Sequence, residues 1–214
     1  MRQFSSKGFI SLAMVAYTIL CTIYFVQHYC WDNIFGVVIA LPTLLATTLC
    51  FMRRRHGGWC IPLALAFSTM GDYAGAMDNF LAQLSLFAVA HIFFINDFLP
   101  RHKLSWRKLI AIVVVAVVIG FYLSFIVRHV GDVTIKSAII IYGIIIWLMA
   151  VSAIAQSCRH AGWYILAALL FVFSDGVIAY GFVEQLPYAT ALIMPTYYAA
   201  QAIFTVLYMQ RKLA

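Results

Sequence analysis

The feature that most restricts the fold of this chain is a series of apolar stretches, each about 20 residues long, separated by short polar breaks. A helix of that length matches the ~30 Å hydrocarbon core of a bilayer, because each residue adds about 1.5 Å. Eight such stretches occur, at approximately 8–27, 34–51, 58–77, 80–98, 109–127, 136–156, 161–180 and 188–209. This pattern predicts an all-α, polytopic integral membrane protein, a bundle of eight transmembrane helices.

Composition supports this prediction, because 65% of the residues are apolar and only 10% are charged. Ordinary soluble domains contain roughly 25% charged residues. Membrane β-strands would show alternating patterns of about ten residues instead of continuous apolar runs. The eight stretches leave no segment for a soluble domain, so we expect residues 1–214 to form a single transmembrane helical domain.

The net charge of +7 could indicate a nucleic-acid partner, but the basic residues follow a membrane pattern. If both termini are cytoplasmic, only Arg128 and Lys136 lie outside. The cytoplasmic side then holds Arg2, Lys7, Arg53, Arg54, Arg55, Arg101, Lys103, Arg107, Lys108, Arg159, Arg211 and Lys212. We therefore expect cytoplasmic N- and C-termini, no nucleic-acid partner, and insertion in a bacterial cytoplasmic (inner) membrane.

A local similarity between the two halves predicts a four-plus-four internal repeat. The run Arg55-His56-Gly57-Gly58-Trp59 reappears as Arg159-His160-Ala161-Gly162-Trp163, and each copy opens an odd-numbered helix. The following helices also correspond, with "FAVAHIFF" ending at Phe94 and "YYAAQAIF" ending at Phe204. A repeat of this kind would place helices three and seven in equivalent positions, as in transporters with parallel repeats.

Two aspartates lie deep inside apolar stretches. Asp72 is about 21 Å along its helix from Gly58, and Asp175 is about 18 Å from Trp163, at about 1.5 Å per residue. A charged side chain near the bilayer centre costs at least ~2.5 kcal/mol, so such a residue is a functional candidate. Both are expected at similar depth in the outer half of the membrane.

Other polar residues on these and neighbouring helices could join the two aspartates. His91, Tyr197 and Gln201 are placed to meet them in one pocket, since Tyr197 and Gln201 share a helix face. Ser68 and Ser174 could bond the carboxylates or, as we favour, the carbonyls of the preceding turn. We expect Asp78 to form the outer turn with a helix cap and Asp97 to be capping or solvated at the interface. The remaining Tyr and Trp residues are interpreted as interface belts or packing.

The residue types restrict the possible chemistry. Zinc would need three or more converging ligands, and His91 is the only well-buried histidine expected, so no metal or other cofactor is predicted. A serine hydrolase is disfavoured because no GxSxG turn is present. Two carboxyl groups in a partly dry pocket can divide into one protonated acid and one ionised base. Such a pair suits acid-catalysed cleavage of an acetal-like or enol ether bond, or equally a proton relay.

Four segments resemble the YhhN family of eight-helix membrane proteins, which includes the lysoplasmalogenases: "FSTMGDYAGA", "FAVAHIFF", "LLFVFSDGVIAY" and "MPTYYAAQAIF". The resemblance covers the whole chain. Its motifs occur in the expected order and contain Gly71-Asp72, His91, Ser174-Asp175, and Tyr197 or Tyr198 with Gln201.

The resemblance implies hydrolysis of the vinyl ether bond of lysoplasmalogens, which releases a fatty aldehyde and a glycerophospho-head group. Asp72 and Asp175 would share the acid and water-activating roles, in an order that stays open. His91 and Tyr197 would orient water or the lipid head, and Gln201 would bond a glycerol or ether oxygen. The expected partner is a lysophospholipid or another membrane lipid.

At two positions this chain differs from the family pattern. Leu41-Pro42 stands where the family often has Lys-Pro, and Phe94 stands where a Tyr is common. If the lysine binds phosphate, the head group here is recognised elsewhere or the substrate differs. The alternative function is a transporter or lipid-binding protein that uses Asp72 and Asp175 as a proton or solute site.

Overall fold

The computed structural model describes residues 6–31, 36–54, 58–99 and 104–211, and this part of the chain contains eight α-helices and no β-strand. The helices are α1 (Ser6–Cys30), α2 (Leu41–Met52), α3 (Cys60–Ala76), α4 (Phe80–Phe98), α5 (Trp106–His129), α6 (Val133–Ala155), α7 (Ala161–Tyr180) and α8 (Ala189–Met209). A 3₁₀ turn at Gly36–Ala40 leads into α2. The predicted all-α bundle of eight helices is therefore confirmed.

Six of these helices are long and apolar enough to cross a membrane, namely α1, α4, α5, α6, α7 and α8. The other two are shorter than the predicted stretches. The 3₁₀ turn and α2 together run over Gly36–Met52, and α3 has 17 residues because it begins only at Cys60. At 1.5 Å per residue, 17 residues reach about 26 Å, slightly less than the hydrocarbon core.

The turn between α3 and α4 differs in detail from its prediction. Asn79, not Asp78, caps α4, and its side-chain oxygen accepts a hydrogen bond from the backbone nitrogen of Ala82 at 3.1 Å. Asp78 instead adopts a left-handed backbone with φ of 55°, a conformation that Asp tolerates better than most residues. The polar break "MDNF" thus supplies both the turn and the cap, as expected, but through two different residues.

Several helix contacts correspond between the two halves of the predicted repeat. α3 packs most extensively on α4, and α7 on α8, which are the corresponding pair four helices later. Contacts of α2 with α3 and with α8 likewise have counterparts in contacts of α6 with α7 and with α4. The equivalent rings of Phe94 and Phe204 meet with centroids 4.5 Å apart, and Phe87 meets Tyr197 at 5.8 Å. Equivalent residues of the two halves thus contact each other where α4 meets α8.

Polar contacts join distant segments at the end of the bundle where α4 and α8 finish. Arg211 donates to both carboxylate oxygens of Asp97, at 2.7 and 2.5 Å, and to the hydroxyl of Tyr164 at 2.9 Å. The hydroxyl of Tyr208 donates to the carbonyl of Gly58 at 2.5 Å. The interpretation of Asp97 as a capping or solvated residue was wrong, because Arg211, distant in sequence, follows α8 and reaches this buried carboxylate.

Gly36 allows the 3₁₀ turn to approach the end of α3. A Cβ atom on Gly36 would lie 2.9 Å from Ala76 Cβ and 3.1 Å from the Ala76 carbonyl oxygen. Because one obstacle is backbone, Gly36→Ala is expected to lower the free energy of unfolding by about 1–3 kcal/mol, measurable as a lower melting temperature in detergent. Gly120→Ala is the matched control: nothing lies within 4 Å there, and alanine favours the helix. Equal melting temperatures for the two variants would contradict this prediction.

Candidate functional site

Asp72 lies on α3, one turn before that helix ends, and only 4% of its surface is exposed. Its neighbour Gly71 lets α3 approach α4, since a Cβ there would stand 3.2 Å from the Phe87 ring. The hydroxyls of Thr43 on α2 and Tyr197 on α8 are hydrogen-bonding neighbours of the carboxyl and lie 3.5 Å from each other. Oδ2 of Asp72 is buried and has no hydrogen-bond partner among the described residues. One oxygen of this carboxyl group therefore has no hydrogen bond within the described part of the chain.

Asp175 occupies the corresponding region of α7, with 9% of its side chain exposed. The hydroxyl of Tyr142 on α6 donates a short hydrogen bond to Oδ2 of Asp175. The same hydroxyl is 2.9 Å from Nε2 of His91 on α4, which is itself 3.6 Å from Oδ2. His91 is fully buried, with its ring against Phe171. Three helices thus hold a continuous His91–Tyr142–Asp175 cluster.

Both aspartates line one partly open cavity of about 230 Å³, here named the main cavity. Its other polar lining residues include Gln83, Ser174 and Tyr197, and apolar side chains complete the wall. The cavity lies where α3 and α7 end and α4 and α8 begin, which is the end predicted to face outward. It therefore lies at the opposite end of the bundle from the Asp97–Arg211 ion pair.

A smaller cavity of about 40 Å³, here named the side cavity, adjoins the main cavity. Asp175 and Gln83 line both cavities, and Tyr142 lines only the smaller one. Its remaining lining residues are apolar side chains such as Phe80 and Ile139. Of these two cavities, Asp175 thus lines both, whereas Asp72 is among the described lining residues of the main cavity alone.

The remaining predicted site residues take different positions. Tyr198 does not line the main cavity, and its hydroxyl donates to the carbonyl of Ile39 at 2.8 Å. The hydroxyl oxygens of Ser68 and Ser174 are both buried without a hydrogen-bond partner among the described residues, so neither makes the expected bond to a preceding carbonyl. The side-chain amide of Gln201, beside Tyr197, is likewise buried without a hydrogen-bond partner among the described residues.

Sequence analysis missed Tyr142, Thr43 and Gln83. For Tyr142 a signal was present, because it interrupts "AIIIYGIIIW" near the middle of an apolar run, far from the interface where tyrosine belts lie. Thr43 and Gln83 had no comparable signal, since Thr and Gln near helix ends are common. Only the packing of α2, α4 and α6 brings these three residues to the aspartates.

The donor set does not resemble a metal site. No group of three or more His, Cys, Asp or Glu residues close enough to hold a metal occurs in the described ranges. Lys and Arg are also missing from the described lining of the main cavity. The arrangement offers carboxyl, phenol, hydroxyl and amide groups, which can transfer protons and bind neutral oxygen atoms but provide no cation for a phosphate.

Comparison with known proteins gives relatives that are similar over most of the chain. "Lysoplasmalogenase TMEM86B" of Homo sapiens is 34% identical over 175 residues, which are 79% of this chain and 73% of the relative. The Rattus norvegicus protein of the same name is 29% identical over 199 residues, or 90% of this chain and 82% of the relative. These relatives are mammalian, so the expected bacterial inner membrane stays a prediction.

No solved structure matches the chain significantly. The sequence profile of the YhhN family, however, matches residues 33–207, a region that includes both aspartates, His91, Tyr142 and every helix from α2 to α8 up to Leu207. Since this match covers far more than half of the 214 residues, the chain belongs to the YhhN family.

Proposed function

We propose that this protein is an intramembrane hydrolase that cleaves the vinyl ether bond of lysoplasmalogens to a fatty aldehyde and a glycerophospho-head group. The observation that carries the proposal is that Asp72 and Asp175, from different helices, line one main cavity. The similarity to proteins named lysoplasmalogenase supports the same reaction. Lysophospholipids are therefore the proposed substrates.

Two carboxyl groups suit this reaction because it needs one proton donor and one proton acceptor. A vinyl ether accepts a proton at the carbon remote from the oxygen, which produces an oxocarbenium ion. Water then attacks that ion, as in the hydrolysis of glycosides, and the hemiacetal collapses to aldehyde and alcohol. Positioned acid and base groups each contribute about 10²–10⁴-fold to such proton transfers.

The main cavity also restricts how the lipid binds. A phosphate has no Lys or Arg partner among the described lining residues, whereas hydroxyl and amide groups can bond glycerol and ether oxygens. We therefore place the vinyl ether and glycerol in the cavity, with the phosphate at or outside its mouth. Leu41, where relatives in the family often have lysine, is compatible with that placement.

The experiment that tests the function uses purified protein in detergent with a lysoplasmenylethanolamine. We expect release of fatty aldehyde, and in deuterated water we expect one deuterium on the carbon next to the aldehyde group. The matched control is the saturated alkyl-ether lysolipid, which has no double bond to protonate and should give no product. Absence of aldehyde would reject the hydrolase. Flux of lipid or protons in proteoliposomes without any turnover would in addition favour a transporter.

A further inference from the structure

The two aspartates have unequal surroundings, although they occupy corresponding helices. Aligning "FAVAHIFF" with "YYAAQAIF" places His91 opposite Gln201. Asp175 on α7 therefore contacts, through Tyr142, an imidazole that comes from the first half of the chain. The equivalent residue of the second half, which the approximate symmetry would place to serve Asp72 on α3, is the amide Gln201. The difference between His91 and Gln201 breaks the approximate symmetry of the two halves.

The hydrogen bonds of the cluster indicate which protons are present. If the Tyr142 hydroxyl donates to Asp175, then Nε2 of His91 carries a hydrogen and donates to Tyr142, and Nδ1 is a bare acceptor. Nδ1 is buried and has no hydrogen-bond partner among the described residues. The opposite direction, from a protonated Asp175 through Tyr142 to Nε2, would leave a buried N–H at Nδ1 unsatisfied, which proteins rarely tolerate. The cluster thus favours an ionised Asp175.

Asp72 has different neighbours. The hydroxyl-bearing side chains of Tyr24 on α1 and Tyr197 on α8 line the main cavity with it, and so does Asp175 as the other carboxyl. The hydroxyl of Thr43 on α2 lies 3.5 Å from that of Tyr197. None of these groups is a cation. A second negative charge near ionised Asp175 is unfavourable in a site of low dielectric constant. The surroundings of Asp72 therefore favour its neutral form, with a proton to give.

The side cavity supplies a location for the attacking water. Its volume of about 40 Å³ exceeds the ~10–15 Å³ of accessible space that a cavity needs to hold one water molecule. Asp175, Tyr142 and Gln83 are the polar residues among its otherwise apolar lining, and a buried water needs two to four polar partners. Because Asp175 also lines the main cavity, a water held here is next to the place where the vinyl ether would bind.

We propose that Asp72 is the general acid, that Asp175 is the general base, and that the attacking water binds in the side cavity beside Asp175, Tyr142 and Gln83. This assignment rests on the proposed function. Tyr142 is a positioning residue, because it acts by holding the carboxylate of Asp175 ionised and correctly oriented. His91 in turn orients Tyr142.

The protons balance over one reaction cycle. Asp72 gives its proton to the vinyl carbon, and the resulting oxocarbenium ion is attacked by water while Asp175 takes a proton from that water. The C–O bond to glycerol then breaks as protonated Asp175 returns a proton to the glycerol oxygen. Ionised Asp72 removes the hydroxyl proton of the hemiacetal, so aldehyde forms and both carboxyl groups regain their starting states.

The first test measures the pH dependence of kcat/KM for aldehyde release by Tyr142→Phe. Two titratable groups contact Asp175, namely His91 on α4 and Tyr142 on α6. Asp72 on α3 and Tyr197 on α8 line the main cavity with it, and Tyr122 on α5 bonds the carbonyl of the next residue, Gly176. Loss of the donated hydrogen bond should move the acidic limb, which reports ionisation of the base, upward by about one pH unit. The alkaline limb, which reports the acid, should stay in place.

Tyr164→Phe is the control for this test, because Tyr164 is also buried but bonds Arg211 at the opposite end of the bundle. A shift of the alkaline limb in Tyr142→Phe would show that the roles are reversed. Limbs that do not move would show that Tyr142 has only a structural role. If the wild-type protein releases no aldehyde, the proposed function fails as well, so the two failures are distinguishable.

A second variant tests the water site without changing a polar group. Ala179 lines the side cavity, and Ala179→Leu should fill it and lower kcat at least 10-fold with little change in KM. Ala111→Leu on α5, the least buried of the six long helices, is the matched control and should retain activity. Unchanged kcat in Ala179→Leu would overturn the water location.

Infrared spectroscopy tests the assignment independently of turnover. At neutral pH, the difference spectrum of wild type minus Asp72→Asn should contain the C=O stretch of a protonated carboxyl group, and that of wild type minus Asp175→Asn should not. The reverse result would overturn the assignment even if the enzyme is active.

Discussion

Asp72→Asn and Asp175→Asn are each expected to lower the turnover of lysoplasmalogen about 10³-fold, in the middle of the range for loss of a positioned acid or base. Asparagine keeps the size of the side chain and can still hydrogen-bond, but it can neither give nor take the proton that the reaction needs. Both carboxyl groups line the main cavity, but the reaction needs a proton donor and a proton acceptor in each cycle, so neither should substitute for the other. The measurement is the initial rate of aldehyde release, with gel filtration in detergent to confirm folding.

The matched control is Asp132→Asn. Asp132 is an exposed N-cap whose side chain accepts from the Ile135 nitrogen at 2.9 Å, and asparagine caps a helix equally well. Activity should therefore be unchanged in that variant. If both cavity variants also kept wild-type activity, the paired-aspartate mechanism would be refuted, whatever the substrate.

The second large effect concerns stability. Arg211→Met should lower the free energy of unfolding by about 3 kcal/mol, because it leaves the carboxylate of Asp97 buried without its bidentate partner. Burial by itself would lower the pKa of Arg211, but the hydrogen bonds to Asp97 and the negative charge of Asp97 outweigh burial and raise that pKa. The guanidinium thus remains charged at every pH that the protein meets. The expected result is a clearly lower melting temperature in detergent.

Two further variants test whether the loss of stability comes from the unpaired charge of Asp97. Arg128→Met changes an exposed arginine and should alter the melting temperature little. Asp97→Leu combined with Arg211→Met removes both charges and should recover much of the lost stability, because no uncompensated buried charge remains. A double variant less stable than Arg211→Met alone would show that the ion pair does not act as a unit. Catalysis at low temperature should survive, since the pair lies at the other end of the bundle.

The helices and the candidate residues were predictable to different degrees. Apolar runs located all eight helices, yet α2 and α3 came out shorter than predicted, because a 3₁₀ turn and Gly58, with φ of 83°, take up the first residues of those runs. The cost of a charge in lipid identified Asp72 and Asp175. The same criterion does not identify Tyr142, because its side chain is neutral, and that residue was interpreted as packing.

The sequence by itself determined that the chain lies in a bilayer, how many helices it has, and that the two aspartates are site candidates. These follow from chain length, hydropathy and the energy of burying charge. Only the tertiary structure decided which side of each helix faces its neighbours. A membrane helix is apolar on its lipid side as well as its protein side, so periodicity does not reveal its rotation about its axis. For that reason the meeting of Asp72 with Thr43 and Tyr197, and of Asp175 with Tyr142 and His91, depended on packing between helices distant in sequence.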